Sequence, residues 1–266
     1  MKKSIIADPS LAPAGALKME WVRKNMKILG AIEAEFRKTR PLRGLRIALS
    51  IHLVAKTAVL AGVFAAGGAE VAVTGSNPLS TKDDVVAALA ETGIHVYAKH
   101  GVPQEEYEGY IDDTISIKPH IIIDDGGDLV HHIHEFRAEL VGGCVGACEE
   151  TTAGILRARA REKEGKLLFP LMGVNDAACK HLFDNRYGTG QSAWDGVMRT
   201  TNLLVTGKIA VIAGYGWSGK GCAMRAAGLG ATVIVTEVDP VKALEAVMDG
   251  YTVLPMRDAA PLGDFF

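Results

Sequence analysis

Apolar residues along this chain gather in short, β-branched runs, and each run ends on a cluster of small or polar residues. The runs at Arg46–Ile51, Glu70–Thr74, Ile94–Tyr97, His120–Ile123, Leu140–Val145 and Leu167–Leu171 have the length and composition of strands. Helical spacing fills the intervals at 55–67, 81–92, 104–116, 127–137 and 150–163. Ahead of the first run, 11–39 reads as a helix with Leu17, Trp21, Met26, Leu29 and Ile32 roughly on one face; Pro41 and Gly44 close it. This alternation predicts an open, mostly parallel sheet with helices on both faces. A helix at 189–205 then leads to a second series. Its strand Ile209–Ala213 runs into a glycine turn, a helical stretch from Ser218 to Leu229, and a strand Thr232–Thr236. The fold class is α/β, with two doubly wound, Rossmann-like parallel-sheet domains, at 1–188 and 189–266, the second incomplete.

The turn after Ile209–Ala213 is Gly214-Tyr215-Gly216-Trp217-Ser218-Gly219. In a strand–turn–helix context this spacing has a mechanical reading. Gly214 permits the tight turn, Gly216 lets backbone approach a pyrophosphate, and Gly219 lets helix pack on strand. Trp217 and Ser218 lie at the junction of turn and helix, where the helix N-terminus presents free N–H groups to the phosphates. Glu237, just past the second strand, is placed to accept from ribose hydroxyls. No arginine follows it closely, which favours NAD over NADP. A Walker-type phosphate loop is excluded, because Gly221 stands after Lys220 where Ser or Thr is required.

Ligands of open α/β sheets bind outside the C-terminal ends of the strands. Five strand ends here carry chemistry: His52; Ser76, Asn77 and Ser80; Asp124, Asp125 and Asp128; Glu149, Glu150, Thr151 and Thr152; and Asn175 and Asp176, leading to Lys180, Asp184 and Asn185. They predict a convergent polar pocket, although Thr81, Thr151 and Asp176 equally suit helix caps. His131, His132 and His134 invite a metal reading. Only His131 and His134 share a helix face and no fourth ligand is evident, so no metal is expected.

The composition narrows the partners. A net charge of −2 over 266 residues gives no electrostatic case for nucleic acid or an anionic membrane. The four cysteines, Cys144, Cys148, Cys179 and Cys222, form no paired framework, as in a reducing cytosol. The start, Met-Lys-Lys-Ser-Ile-Ile, meets Asp8-Pro9 too soon for a signal peptide, and Thr57–Ala69 is too short and glycine-rich to span a bilayer. A cytoplasmic protein is expected.

Several stretches together resemble the adenosylhomocysteinase family: DDGGDL (Asp124–Leu129), EETT with Gly154, VND (Val174–Asp176), the Lys180–Gly188 segment, GKIAVIAGYG running on to Gly221, and TEVDP (Thr236–Pro240). The similarity runs from about residue 10 to the last residue. The resemblance implies a substrate-binding domain at 1–188 and the N-terminal part of an NAD-binding domain at 189–266. It implies reversible hydrolysis of S-adenosylhomocysteine to adenosine and homocysteine. In that chemistry resident NAD oxidises the ribose 3′-hydroxyl, the 4′ C–H becomes acidic, homocysteine leaves C5′, water adds, and the ketone is reduced again.

Carried over residue by residue, Lys180 and Asp184 match the pair at the 3′- and 2′-hydroxyls, four residues apart on one helix face. The resemblance implies that Lys180 is the base for the hydroxyl proton, a role that requires the neutral amine. Glu150 matches the carboxylate gripping the ribose. Asp125 and His52 match the groups that handle protons at the 4′/5′ end, and Asn77 and Ser80 line the pocket. Asn175 and Asn185 match amides that orient the lysine and line the nicotinamide site; Thr151 and Thr152 match NAD contacts. The resemblance implies a homotetramer.

Four positions depart from the pattern. Where the family commonly has Thr and Glu two and four residues after the strand-end His, this chain has Val54 and Lys56. That Glu accepts from the 6-amino group of adenine. Lysine can only donate, which suits the 6-oxo group of hypoxanthine and makes S-inosylhomocysteine an alternative substrate. Ala153 replaces a third Thr, and Thr189 replaces a Cys found near the nicotinamide in many members. The family's layout also continues for well over a hundred residues after the point matched by Phe266, with Gly263–Phe266 on its fourth cofactor-domain strand. The chain is therefore expected to be a piece of a longer hydrolase or, alternatively, a non-catalytic homologue that binds NAD or nucleoside.

Overall fold

A computed structural model describes residues 3–266. By its internal contacts the chain divides into two units, one ending at Asn175 and the other running from Asp176 to Phe266, so that 176–188 groups with the second.

The first unit opens with α1 (Ala12–Asn25) and α2 (Lys27–Thr39). The single helix expected over 11–39 is broken at Met26, whose backbone (φ −97°, ψ 63°) leaves the helical region. Its expected apolar face is not the packing face either, since Leu17 and Trp21 are 69% and 70% exposed. Helix α1 instead docks through its small residues. Ala12 is fully buried, and a Cβ on Gly15 would stand 1.9 Å from the Asp84 carbonyl oxygen. Close backbone approach has replaced side-chain interdigitation here.

Strands and helices then alternate: β1 (Arg46–Ser50), α3 (Ala55–Ala66), β2 (Glu70–Thr74), α4 (Asp83–Glu91), β3 (His95–Val96), α5 (Gln104–Ile115), β4 (Ile121–Asp124), α6 (Asp128–Phe136), β5 (Gly146–Glu149), α7 (Thr152–Lys163) and β6 (Leu171–Gly173). The sheet order is β3-β2-β1-β4-β5-β6, and every pairing is parallel. One face packs Ile47, Leu49, Val71 and Val73 against Val85 and Leu89. The other packs Ala48 and Ile122 against Ile111, Ile115, Leu129 and Ile133. Alternate residues of one strand thus serve opposite layers, as a sheet buried on both faces requires.

Two strands lie later than the apolar pattern suggested. Residues 138–143 form a 3₁₀ turn rather than a strand, and β5 follows at 146–149. The glycines at 142 and 143 break the extended run, and Glu149, polar by type, is the residue in register with Asp124. Strand β6 starts after Pro170, which has no N–H to give the ladder; its carbonyl accepts from Ala147.

The register places Thr74, Ser50, Asp124 and Glu149 in one row across β2, β1, β4 and β5, and all four are fully buried. That row is the floor beneath the strand-end loops. Strands β1 and β4 flank the point where the winding reverses, so those loops open at the switch point.

The second unit holds a π-helical segment at Lys180–Thr189, then α8 (Gly190–Thr201), β7 (Ile209–Ala213), α9 (Trp217–Gly228), β8 (Thr232–Thr236), α10 (Pro240–Met248), β9 (Thr252–Val253) and α11 (Met256–Ala259). Its parallel sheet has the order β7-β8-β9, over a core that includes Trp194, Ala210, Ala223, Val233 and Val235. Phe265 pairs in parallel with Ala210 on the side of β7 away from β8: Val211 N–H donates to its carbonyl (2.8 Å) and its own N–H to that of Ile209 (3.1 Å). This isolated bridge lies within Gly263–Phe266. Among the described residues no helix is long and apolar enough to cross a membrane.

Candidate functional site

In the first unit the strand-end loops meet around His52 and Asp125. His52 follows β1; Thr57 Oγ1, from the first turn of α3, donates to its carbonyl at 2.6 Å and holds the backbone. The ring bridges two other loops. Nδ1 lies 2.6 Å from Ser80 Oγ, and Nε2 lies 3.6 Å from Asp125 Oδ2. Ser76, after β2, donates its hydroxyl to the same Asp125 oxygen at 2.8 Å. Three strand ends therefore converge on one carboxylate–imidazole pair. Asn77 caps the 3₁₀ turn Pro78–Ser80, its side-chain oxygen accepting from Leu79 N–H at 2.9 Å.

Asp125 and Glu150 sit on loops fixed from below. Glu149 Oε1 accepts from Gly126 N–H (2.9 Å), Thr151 N–H (2.9 Å) and Thr151 Oγ1 (2.7 Å), each donor one residue beyond a candidate acid. Asp124 accepts from Asp125 N–H (3.1 Å) and Val130 N–H (2.9 Å). Burial, with Glu149 and Asp128 nearby, pushes the Asp124 carboxyl up to about 8 in spite of those donors. Gly126 and Gly127 carry the loop through positive φ (99° and 83°), and Arg157 clamps it by donating to Gly126 O (2.7 Å) and Asp128 Oδ1 (3.0 Å). The pattern of strand-end polar residues contained Glu149 and Ser76 but gave them no separate role. Their function lies in tertiary hydrogen bonds, for which a single sequence has no marker.

Thr151 is the N-cap of α7, its hydroxyl accepting from Gly154 N–H at 3.1 Å while donating to Glu149. Thr152 is exposed, and its hydroxyl accepts from the Asn175 amide at 2.9 Å. Lys56 is exposed in the first turn of α3, whose N-cap, Val54, makes no side-chain cap. The histidines of α6 are each engaged elsewhere: His131 Nδ1 with Arg161, His132 Nε2 beside Asp112, and His134 with Val130 O and Leu168 N–H.

In the second unit Lys180, Asp184 and Asn185 come together on the π-helical segment. Lys180 Nζ donates to Asn185 Oδ1 at 2.8 Å and lies 3.8 Å from Asp184 Oδ2. An α-helix would pair Lys180 with Asp184 alone. The wider π turn brings residue i+5 under i as well, and such turns are frequent at functional sites. Lys180 is mostly covered (18% exposed), whereas Asp184 is open (61%).

The glycine turn has the geometry a dinucleotide needs. Gly214 has φ +94°, and a Cβ on Gly219 would stand 2.1 Å from the Gly214 carbonyl oxygen, so the turn closes only without side chains. Trp217 opens α9 and Ser218 follows; Gly216, the N-cap, offers no side chain to cover the free N–H groups. Glu237 accepts from Tyr215 N–H (2.6 Å), Val238 N–H (2.7 Å) and Asp239 N–H (3.1 Å). These donors hold its carboxyl below the usual carboxylate range, so it is ionised and tied to the turn.

A parallel strand–glycine turn–helix–strand unit ending on an ionised carboxylate defines a dinucleotide-binding α/β protein. Residues 3–143 match the model of the S-adenosyl-L-homocysteine hydrolase family, and 185–266 match that family's NAD binding domain. The chain belongs to the S-adenosyl-L-homocysteine hydrolase family, and its cofactor is NAD. It is 56% identical over 263 residues to an S-inosyl-L-homocysteine hydrolase of Methanococcus maripaludis, covering 99% of this chain and 63% of that protein. It is 56% identical over 261 residues to an adenosylhomocysteinase of Pyrococcus abyssi, covering 98% of this chain and 62% of that one. The chain thus spans just under two thirds of the length of these curated relatives. Among solved structures, a dipicolinate synthase from Bacillus halodurans shares the fold, with a TM-score of 0.50 at 14% identity over 83% of this chain and 71% of that one.

Proposed function

We propose that this protein catalyses the reversible, NAD-dependent hydrolysis of S-adenosylhomocysteine to adenosine and homocysteine. The observation that carries the reading is the Lys180–Asp184–Asn185 group, a covered amine fixed by an amide oxygen beside an open carboxylate. When bound, NAD supplies the reversible two-electron oxidation of the ribose 3′-hydroxyl to a ketone, which makes the neighbouring C4′–H acidic. Lys180 takes and returns the 3′-hydroxyl proton, Asn185 aims the amine, and Asp184 accepts from the 2′-hydroxyl. Glu150 grips the ribose hydroxyls. His52 and Asp125 move the proton at the 4′/5′ end: they take the C4′ proton, give one to the departing homocysteine sulfur, take one from the water that adds at C5′, and return one to C4′. Asn77 and Ser80 line this end. On the cofactor side, Gly214, Gly216, Trp217, Ser218 and Gly219 receive the pyrophosphate, Glu237 the adenosine ribose, and Thr151, Thr152, Asn175 and Asn185 the nicotinamide half. The reading assigns 1–188 to substrate and 189–266 to cofactor. It extends to a cytoplasmic homotetramer serving one-carbon metabolism; the four cysteines are thiols, consistent with a reducing compartment.

A specific observation favours a second substrate, S-inosylhomocysteine. Lys56 occupies the N-terminal turn of α3, where a cation opposes the helix dipole at a cost of about 0.3–1 kcal/mol. Local stability therefore does not explain it, whereas donation to a 6-oxo group does. The M. maripaludis relative carries the matching name. The test is homocysteine release by NAD-loaded protein on both thioethers. Turnover of either compound supports the hydrolase reading, and none on either overturns it. If Lys56 reads the base, the inosyl compound is turned over faster and Lys56→Glu reverses the order, a bidentate-grade contact being worth about 1–3 kcal/mol. Equal or faster turnover of the adenosyl compound by the unaltered protein removes Lys56 from base selection.

A further inference from the structure

The hydrogen bonds around Ser80 fix which nitrogen of His52 does chemistry. Ser80 Oγ has two polar neighbours, the Asn77 carbonyl oxygen at 2.9 Å and His52 Nδ1 at 2.6 Å. The carbonyl can only accept. The hydroxyl has a single proton, and both contacts are hydrogen bonds only if that proton goes to Asn77 O and Nδ1 carries its own, donated to Oγ. The Asn77 carbonyl is itself pinned, since it also accepts from Ser80 N–H (3.1 Å) and Thr81 Oγ1 (3.3 Å).

We infer that Ser80 is a positioning residue that locks His52 in the Nδ1–H tautomer, leaving Nε2 as the nitrogen that accepts and returns a proton beside Asp125. Nε2 lies 3.6 Å from Asp125 Oδ2, too far for a resting hydrogen bond but close enough for the carboxylate to steady the ring once Nε2 is protonated. Ser76 keeps that carboxylate oxygen in place. In serine-protease triads a buried carboxylate sets the tautomer of the catalytic histidine. Here a hydroxyl chained to a backbone carbonyl does so, and the carboxylate stands on the reactive side. Fixing the tautomer avoids a ring whose proton already occupies the working nitrogen. The assignment of Nε2 to the 4′/5′ proton rests on the hydrolase reading above; the tautomer itself does not.

The test is ¹⁵N NMR of histidine-labelled complete protein at a pH where the His52 ring is neutral, for the unaltered chain, Ser80→Ala and Ser80→Thr. The expected result is Nδ1–H in the unaltered protein, conversion to predominantly Nε2–H in Ser80→Ala, and return to Nδ1–H in Ser80→Thr. Homocysteine release should fall about 10–100-fold in Ser80→Ala, the usual cost of losing a group that orients a functional histidine. Ser80→Thr should recover most of the rate. An Nε2–H ring in the unaltered protein, or a tautomer indifferent to Ser80→Ala, overturns the inference. Failure of the unaltered protein to release homocysteine from either thioether overturns the hydrolase reading, while the tautomer result still judges Ser80.

Discussion

Replacing Lys180 by methionine is expected to lower homocysteine release by about 10²–10⁴-fold, the usual contribution of a general base, while the protein retains its bound NAD. Methionine keeps much of the length and apolar stem of lysine, so the π-helical segment should stay seated and only the amine is lost. Lys180→Arg separates charge from chemistry. Arginine carries the cation but does not give up its proton, so it should be as inactive as methionine. Activity in Lys180→Arg within about tenfold of the unaltered protein would reduce the lysine to an electrostatic group. NAD loss matching the activity loss in Lys180→Met would make it a cofactor anchor. Steady-state rates with NAD content measured on the same samples give both answers.

The second large effect is at the glycine turn. In Gly219→Ala the new Cβ would stand 2.1 Å from the Gly214 carbonyl oxygen, which belongs to the backbone and cannot rotate away. The turn must shift or α9 must lift, and overpacking of this kind costs about 1–3 kcal/mol. Released through the binding equilibrium, that corresponds to a loss of NAD affinity of roughly 5–150-fold. The expected readout is weaker NAD binding by calorimetry with far-ultraviolet circular dichroism unchanged. Gly228→Ala, near the other end of the same helix with nothing within 4 Å of its Cβ, is the control and should bind NAD normally. Equal affinity in the two variants would mean that the turn does not receive the pyrophosphate.

The parts of this molecule that follow local rules were legible in its sequence. The apolar runs at 46–51, 70–74, 120–123, 209–213 and 232–236 located strands because a sheet covered on both faces needs continuous β-branched segments. Strand-end chemistry followed, since the polar residues after β1, β2 and β4 had one place to go. Tertiary packing obscured the rest. Glu149 looks like a loop residue by type, yet it is a fully buried strand end, because two glycine-bearing loops offer it N–H donors that no apolar residue could accept. Helix α1 shows an apolar face at Leu17 and Trp21 but docks by Gly15, where the lack of a side chain is the contact. The π turn at 180–189 has no residue signature. The 3.6-residue period pairs Lys180 with Asp184, whereas the chain also delivers Asn185 to the amine. The Ser80–His52 bond joins residues 28 apart whose loops are neighbours only in the folded sheet.

Hydrogen exchange at C4′ tests the central claim most directly. Adenosine and inosine are incubated with the NAD-loaded complete protein in D₂O, without homocysteine, and recovered for proton NMR. Oxidation at the 3′ position with His52 and Asp125 handling the C4′ proton predicts deuterium at C4′ of at least one nucleoside, no net consumption of NAD, and loss of the exchange in Lys180→Met. Homocysteine release from the thioether with no C4′ deuterium in either nucleoside would contradict the account, because it would mean direct displacement at C5′ without oxidation of the ribose.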